Sequence, residues 1–284
     1  MPRSLLLHLI VLSALLAGCA TTTPQLTQAP TITTQPVSTA ASIASPTTTP
    51  SPNDTATPLP PTATAAPRLC SPISGFALDQ LAVMISNPFH PPPPGSDDPH
   101  HGVDLAVRMA GSQVAIAGNP VQAAIAGRVV MVNNDRFPYG NSIMIETPLV
   151  GAQAEWLAQA DIPVAAPTLE NHSALTCPNT VAPATNASHR SLYVLYAHMA
   201  SISDLQVGDE ISCGQLLGTV GDTGNALNPH LHFETRVGPS GVHLPGMAHY
   251  DVSATTDEMS GYCTWRISGL FQLVDPMKVL SLTP

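Results

Sequence analysis

Short runs in which apolar and polar residues alternate dominate the chain from about residue 69 onward. Alternation is typical of β-strands, because successive side chains of a strand point to opposite faces. Glycines and prolines separate the runs, as they do in domains built mostly of short strands. The predicted strands are Leu105–Val107, Val121–Ala124, Arg128–Asn133, Ser142–Glu146, Leu192–His198, Glu210–Ile211, Leu216–Val220 and His230–Arg236.

Helical spacing is scarce in the same region. Only the neighbourhoods of Phe76–Ser86 and Ala152–Ala160 predict short helices. We therefore expect a mostly β domain over residues 69–284. Residues 148–190 interrupt the succession of strands with a long segment that contains several prolines, which we interpret as an insertion between two strands.

Residues 1–19 have the pattern of an export signal. Arg3 precedes an apolar run, Leu5–Leu16, that is too short to span a bilayer comfortably. The run ends in Leu16-Ala17-Gly18-Cys19, which resembles the lipobox of bacterial lipoproteins. The resemblance implies cleavage before Cys19 and lipid attachment to its sulfur. We therefore expect an exported protein, anchored to the cell membrane or outer membrane and facing the cell wall.

Residues 20–68 are rich in Thr, Pro, Ala and Ser and contain no aromatic residue. Such a composition cannot bury enough apolar surface to offset the entropy of the chain, so we expect this segment to be disordered. Its prolines favour extended conformations of about 3.1 Å per residue, which predicts a tether on the order of 100 Å long.

Charge and cysteine content narrow the partners and the compartment. The formal net charge is -10, which argues against nucleic acid as a partner, because phosphates require a basic surface. Besides Cys19, the chain contains Cys70, Cys177, Cys213 and Cys263. An even number in an exported chain suggests two disulfides, with three possible connectivities. Because the ends of a domain often lie together, we favour Cys70 with Cys263 and Cys177 with Cys213.

The most informative cluster of candidate functional residues lies near residue 230. Alternation places His230, His232 and Glu234 on one strand face and the apolar Leu231 and Phe233 on the other. Two imidazoles one strand step apart suit two zinc ligands, or one ligand and one acid/base group. A lone His-x-His is nevertheless more often a pair of exposed or hydrogen-bonded core histidines, so the other clusters are needed to decide.

Two further clusters add a carboxylate and more histidines as candidates. His100, Gly102 and Asp104 share a face if they form a strand, and Gly102 then leaves room for an ion. Tyr196 and His198 share a face of another strand, which places His198 beside the other clusters if the strands are neighbours. Each of these clusters, taken alone, is more typical of surface or core side chains than of a site.

Together the clusters occur in the order found in the M23 family of zinc peptidases of the LytM or lysostaphin type, which the chain resembles. The resemblance covers most of residues 87–280 and implies an antiparallel β-sheet core with long loop insertions. The connecting segments that resemble the family are Gly118–Ala123, Gly127–Val130, Tyr139–Ser142, Val207–Glu210, Gly214–Gly218, Gly221–Gly224, and Val274–Pro276 followed by Leu280.

Carried over residue by residue, the resemblance implies that His100, Asp104 and His232 bind one Zn²⁺ per domain. His198 and His230 would be the unliganded catalytic histidines. Three protein ligands leave a fourth position for water, as a catalytic zinc requires. Since the sequence contains no His-Glu-x-x-His motif, the free imidazoles would take the proton of that water and stabilise the oxyanion.

Three segments depart from the minimal core of the family: the proline run at residues 91–95, the insertion at 148–190 and the tail at 237–263. Loops of this kind wall the substrate groove in the family. Glu234 has two readings, a residue that orients a histidine ligand or a solvated carboxylate at a strand edge.

The resemblance implies an endopeptidase that hydrolyses peptide cross-links or stem peptides of bacterial peptidoglycan. The alternative is a non-catalytic LytM-like regulator that binds the cell wall or activates an amidase, but such members have typically lost zinc ligands. Cupins and α-carbonic anhydrases also use His-x-His, with further ligands at spacings that are absent here. A biotinyl or lipoyl carrier needs a lysine at a hairpin tip, whereas the only lysine, Lys278, lies in the terminal segment.

Overall fold

The computed structural model describes residues 67–93, 95–109, 112–114, 116–160, 175–178 and 186–282. The predicted export signal with Cys19, the predicted tether up to residue 66 and much of the predicted insertion lie outside the described residues. No helix within these ranges is long and apolar enough to cross a membrane.

The described residues form twelve strands, most of which belong to one sheet. The strands are β1 (Ile85–Asn87), β2 (Val103–Leu105), β3 (Val107–Met109), β4 (Ser112–Val114), β5 (Pro120–Gln122), β6 (Gly127–Arg136), β7 (Gly140–Pro148), β8 (Asn186–Ile202), β9 (Glu210–Ile211), β10 (Leu216–Val220), β11 (Leu231–Ser240) and β12 (Gln272–Val274).

Strand β8 runs through the middle of a ten-stranded sheet. The order across this sheet is β1-β2-β11-β8-β7-β6-β9, while β10 pairs with β5 and β8, and β12 pairs with β11. These pairings are antiparallel. Strands β3 and β4 form a separate two-stranded sheet. The predicted fold class, mostly β with an antiparallel sheet at its core, is confirmed.

Both faces of the central strands are buried. On one face Tyr196 packs against Phe233 with ring centroids 5.3 Å apart. On the other face Tyr193 packs against Phe271 with centroids 5.0 Å apart. Burying a large apolar side chain contributes about 1.5–3 kcal/mol, so both faces stabilise the sheet. The chain after β11 covers the second face, which explains why residues 192–197 are apolar at every position.

Four helices lie in the described residues. They are a 3₁₀ helix (Leu78–Met84), α1 (Ala152–Ala158), α2 (Thr256–Arg266) and α3 (Pro276–Ser281). The first two fall where helices are predicted. The prediction that no other region is helical is wrong, because both later helices begin at strong capping signals.

At the start of α2, the hydroxyl of Thr255 accepts the backbone N–H of Glu258 at 3.2 Å, and the Glu258 carboxylate accepts the backbone N–H of Thr255 at 2.9 Å. This reciprocal pair is a capping box, which satisfies two donors that a helix terminus would otherwise leave unpaired. At the start of α3, Asp275 accepts the N–H of Met277 at 2.9 Å, and Pro276 occupies the first turn, where it needs no hydrogen bond.

Two disulfides form, but the predicted pairing is wrong. Cys70 is bonded to Cys213, and Cys177 is bonded to Cys263. The second bond links residues 175–178, a described part of the segment between β7 and β8, to helix α2.

Backbone hydrogen bonds explain the first pairing. The N–H of Cys70 donates to the carbonyl of Ala124 at 2.9 Å, and the N–H of Gly214 donates to the carbonyl of Ala123 at 2.8 Å. The segment before the sheet therefore runs beside the β9–β10 turn that carries Cys213. The general rule that domain ends lie together fails here, since a specific strand edge determines where Cys70 lies.

We predict that a peptide map of the unreduced protein contains Cys70 joined to Cys213 and Cys177 joined to Cys263. The first bond closes a loop of 143 residues, so the paired change Cys70→Ser with Cys213→Ser should lower the free energy of unfolding by about 4–5 kcal/mol. Mass spectrometry and denaturant titration provide the two measurements. A peptide that joins Cys70 to Cys263 would contradict the arrangement described.

Candidate functional site

The pairing of β2 with β11 brings the three predicted metal ligands together. His232 lies directly opposite Asp104 in the antiparallel register, and His100 approaches from the loop that precedes β2. Nε2 of His100 lies 3.0 Å from Oδ1 of Asp104 and 3.2 Å from Nδ1 of His232, and the latter two atoms are 2.9 Å apart. Ligand atoms about 2.0–2.2 Å from a tetrahedral zinc ion are themselves roughly 3.3 Å apart. The three atoms are therefore spaced to share one cation.

Hydrogen bonds on the far side of each ring leave these nitrogens free for a ligand bond. Nδ1 of His100 donates to the carbonyl of Pro88 at 2.8 Å, and Nε2 of His232 donates to Oε2 of Glu234 at 3.3 Å. Each ring then presents a lone pair toward Asp104, in the manner of histidines whose second nitrogen is held by a carbonyl or carboxylate. Three acceptors that face one another so closely need a cation or a proton between them.

Gly102 provides space for a ligand ring rather than for an ion. A Cβ atom at this position would lie 3.0 Å from Cε1 and Nε2 of His232 and 2.6 Å from the carbonyl oxygen of Phe233. Gly102 was expected to leave room for the ion. In the structure, its missing side chain leaves room for the ring of His232 and the backbone of Phe233.

The other two predicted histidines lie beside the trio. The ring centroids of His198 and His230 are 4.8 Å apart, and those of His198 and His232 are 5.7 Å apart. Nε2 of His230 lies 3.5 Å from Oδ1 of Asp104. The structure therefore brings all five predicted site residues into one cluster.

Backbone carbonyls fix the tautomers of these two histidines as well. Nδ1 of His198 donates to the carbonyl of Thr223 at 2.8 Å, and Nδ1 of His230 donates to the carbonyl of Asn228 at 2.7 Å. In both rings Nε2 remains as an acceptor, so each ring can take up a proton.

A β-bulge, and not simple alternation, turns His198 to the site. Tyr196 pairs with Phe233 on the core face, and His198 would share that face in a regular strand. Between its pairs with Ile143 and Asn141, β8 contains one extra residue, and His198 has a φ of 60°. The extra residue reverses the direction of the side chain, so the predicted location is right while the alternation argument for it is wrong.

Burial and neighbouring groups set the protonation of the cluster. Burial, together with nearby His232 and His230, lowers the pKa of His198 to about 3, so this ring is neutral near pH 7. Burial acts in the same direction on His232, but its hydrogen bonds to Asp104 and Glu234 prevail and raise its pKa to about 9. A cation that binds Nδ1 of His232 must therefore displace a proton.

A groove of about 790 Å³ opens over the cluster. All five site residues line it. Further lining residues include Phe137, Tyr139, Asn225, Leu227, Tyr250 and Arg266.

Residues 181–244 match the model of Peptidase family M23. The matched range, less than a quarter of the chain, contains His198, His230 and His232, whereas His100 and Asp104 precede it. No curated protein sequence is significantly similar to the chain.

Several solved structures are similar to the chain. A Pseudomonas aeruginosa protein assigned to peptidase M23 is 19% identical with a TM-score of 0.36, and the alignment covers 76% of this chain and 51% of that one. A mutant catalytic domain of the prophage-encoded M23 protein EnpA from Enterococcus faecalis is 21% identical (TM-score 0.33, coverage 62% and 88%). The catalytic domain of lysostaphin from Staphylococcus simulans is 22% identical (TM-score 0.33, coverage 56% and 83%). The chain thus spans about half the length of the Pseudomonas protein.

Glu234 is a buried anion, which excludes the reading of a solvated edge carboxylate. Nε of Arg236 donates to its Oε1 at 2.6 Å, and the hydroxyl of Tyr139 donates to its Oε2 at 3.0 Å. Nη1 of Arg266 lies 3.9 Å from the same oxygen. Although burial opposes ionisation, the charge of Arg236 and the hydrogen bond from His232 hold the pKa of Glu234 well below its usual range.

Arg266, at the end of α2, holds the loop that carries His100. Its Nε and Nη2 each lie 2.6 Å from oxygens of Asp97, the side-chain Oδ1 and the backbone carbonyl respectively. Its Nη1 donates to the hydroxyl of Tyr139 at 3.1 Å. Asp97 lies three residues before His100, so the end of α2 fixes the loop that carries this predicted ligand.

These supporting residues are not among the predicted site residues. Arg236 follows Glu234 by two positions in a strand, so the same alternation could have placed it on the same face. Tyr139 lies in a segment that resembles the family, but nothing in that segment indicates that its hydroxyl binds Glu234. Asp97 and Arg266 are far apart in sequence, and no local pattern links them.

We predict that Arg236→Met lowers the free energy of unfolding by about 3–5 kcal/mol, because it leaves the Glu234 carboxylate buried without its main partner. Denaturant titration in the presence of a chelator measures this without a contribution from bound metal. The paired change Arg236→Met with Glu234→Gln should recover part of the loss. A cost below about 1 kcal/mol for the single change would contradict the stabilising role of the pair.

Proposed function

We propose that this protein is an exported zinc endopeptidase that hydrolyses peptide cross-links or stem peptides of bacterial peptidoglycan. The observation that carries the proposal is the cluster itself. Three ligand atoms of His100, Asp104 and His232 face one point, and two imidazoles whose Nδ1 atoms are held by backbone carbonyls stand next to it. The match of residues 181–244 to Peptidase family M23 supports the same reading.

Zinc suits this donor set. Two imidazole nitrogens and one carboxylate oxygen make a three-ligand site that leaves a fourth position open, as in catalytic zinc centres. When bound, zinc would lower the pKa of a water molecule toward about 7 and polarise the carbonyl of the scissile bond.

The rings of His198 and His230 would carry the protons. Each ring has Nδ1 held by a backbone carbonyl, which leaves Nε2 as the acceptor, and this is the tautomer of a general base. After protonation the same atom becomes a donor, able to stabilise a developing oxyanion or to protonate the leaving amine. Among the described residues that line the groove, the other carboxylates are Asp97, held by Arg266, and Asp98 on the rim.

Peptidoglycan as the substrate fits the predicted location. A lipid anchor on Cys19 and an extended tether would hold the domain on a membrane surface and let it reach the cell wall. The groove of about 790 Å³ over the cluster has room for part of a peptide.

We predict that metal content separates the two classes of histidine. His100→Ala, Asp104→Ala and His232→Ala should each weaken zinc binding by more than 100-fold, since even partners of ligands contribute about 10–100-fold. His198→Ala and His230→Ala should retain about one zinc per chain and lose turnover by about 10²–10⁴-fold. Metal analysis of dialysed full-length protein and a cleavage assay provide the readouts.

The matched control is His243→Ala, which removes an exposed histidine away from the cluster and should change neither quantity. If His230→Ala loses the zinc while His232→Ala retains it, the two roles are reversed.

We further predict that the purified full-length protein, with zinc and no partner, cuts cross-linked peptidoglycan. New amino termini should appear on bridge or stem peptides without new reducing sugar ends. Cleavage should stop with a chelator, return with zinc, and fail in His198→Ala at unchanged zinc content. If the protein binds peptidoglycan but new amino termini require an added amidase, the regulator is the correct function.

A further inference from the structure

Tyr250 is an exposed aromatic residue at the edge of the groove, held in an unusual conformation. Its relative exposure is 61%, and it lines the same groove as the five site residues. Its φ is 61°, in the left-handed region that costs a non-glycine residue about 1 kcal/mol or more. One side of its ring packs against His249 and Tyr262, with centroids 4.5 and 6.2 Å away, and the rest of the ring stays open to the groove.

The surroundings hold Tyr250 firmly. Its hydroxyl donates to Oδ2 of Asp97 at 2.6 Å, and its backbone N–H donates to Nδ1 of His249 at 2.9 Å. His249 is buried, and its Nε2 donates to the carbonyl of Thr176 at 2.8 Å. Thr176 adjoins Cys177, which is bonded to α2. The ring of Tyr250 is thus positioned from both the tail and the segment between β7 and β8.

The same contacts tie Tyr250 to the metal-ligand cluster. Asp97, which accepts its hydroxyl, is also bound by Arg266 and lies three residues before His100. The ring therefore has a fixed place relative to the cluster, as a residue that binds substrate should.

A second exposed apolar side chain lines this groove. Leu227 is 96% exposed in the loop that precedes His230. Exposed apolar side chains are common singly on surfaces, but these two share one concave site, which favours binding over chance.

The charges of the groove indicate what it accepts. Among its described lining residues, Arg266 is the only arginine or lysine, and its guanidinium is bound to Asp97. Asp98 is exposed on the rim and adds negative charge. Away from the proposed metal, a carboxylate on the ligand would find no free arginine or lysine among the described lining residues and one exposed anion, Asp98.

From these observations we propose that Tyr250 is a substrate-contacting specificity residue. Its ring, with Leu227, packs against the peptide segment beside the scissile bond, and the site selects a segment without free carboxylates. This inference rests on the proposed function for its substrate class, a peptidoglycan peptide. It assigns a role to the tail at residues 237–263, which lies outside the minimal family core.

The test uses full-length protein and soluble cross-linked peptide fragments of peptidoglycan. Tyr250→Ala should raise KM about tenfold, the effect of losing one aromatic contact, with kcat changed less than about twofold. Tyr250→Phe should stay within about threefold of the wild type. Tyr250→Gly separates ring from backbone: glycine accepts the positive φ, so its KM should match that of Tyr250→Ala. Val252→Ala, at a neighbouring exposed residue outside the groove lining, is the control and should behave like the wild type.

Two further measurements keep the result decisive. Zinc content should be equal in all variants, and binding of zinc-free protein to insoluble peptidoglycan should weaken in Tyr250→Ala. A wild type that binds but does not cut would defeat the proposed function alone, and the binding comparison would still decide the role of Tyr250. Unchanged KM and binding in Tyr250→Ala, or a joint loss of zinc and kcat, would overturn the inference.

The proposed selection against carboxylates is tested by comparing two forms of one peptide. The same stem peptide with its free carboxyl groups amidated should bind several-fold more tightly than the unmodified peptide. Equal or weaker binding of the amidated form would refute the selection against carboxylates.

Discussion

The register between β2 and β11 is the constraint on which the rest of the site depends. It sets His232 opposite Asp104, and a slip of one residue would turn His232 toward the core and expose Phe233 instead. Leu231 and Phe233 are fully buried on the opposite face, each contributing about 1.5–3 kcal/mol. Apolar burial on one face of the strand therefore determines the spacing of polar atoms on the other, before any metal binds.

The buried polar face of β11 depends on helix α2 for its cover. Glu234 and Arg236 lie on a face that is closed off from water, where a carboxylate is costly unless it is paired and fully hydrogen-bonded. The end of α2 supplies the cover: Trp265 lies 4.7 Å below the guanidinium of Arg236, and Arg266 reaches both Glu234 and Asp97. Helix α2 is thus structurally inseparable from the cluster. This dependence also explains why a disulfide fastens α2 at Cys263.

Local patterns in the sequence predicted most strands of the central sheet, because alternation and turn residues are properties of a few neighbouring positions. They also marked the five cluster residues as candidates, but only the family resemblance joined these candidates into one site. The disulfide partners were mispredicted because they depend on which strand edge Cys70 follows. Helix α2 was missed although Thr255 and Glu258 carry a capping signal, since its apolar residues show no clear helical stripe in a tail that is buried on several sides. The contact of Asp97 with Arg266 spans 169 residues, and no pattern within one segment could reveal it.

The strained backbone at His198 shows why the glycine-rich segments accompany the histidines. A left-handed non-glycine residue costs about 1–3 kcal/mol and persists only where its surroundings impose it. The N–H of His198 donates to Tyr139, and its ring donates to Thr223. These two anchors are in turn locked together, because a Cβ on Gly140 would lie 2.3 Å from Oγ1 of Thr223 and one on Gly224 would lie 2.4 Å from the backbone N of Gly140. Segments 139–142 and 221–224 thus interlock only because both contain glycine at the contact. Their shared task is to hold one histidine in a conformation that an ordinary strand would not allow.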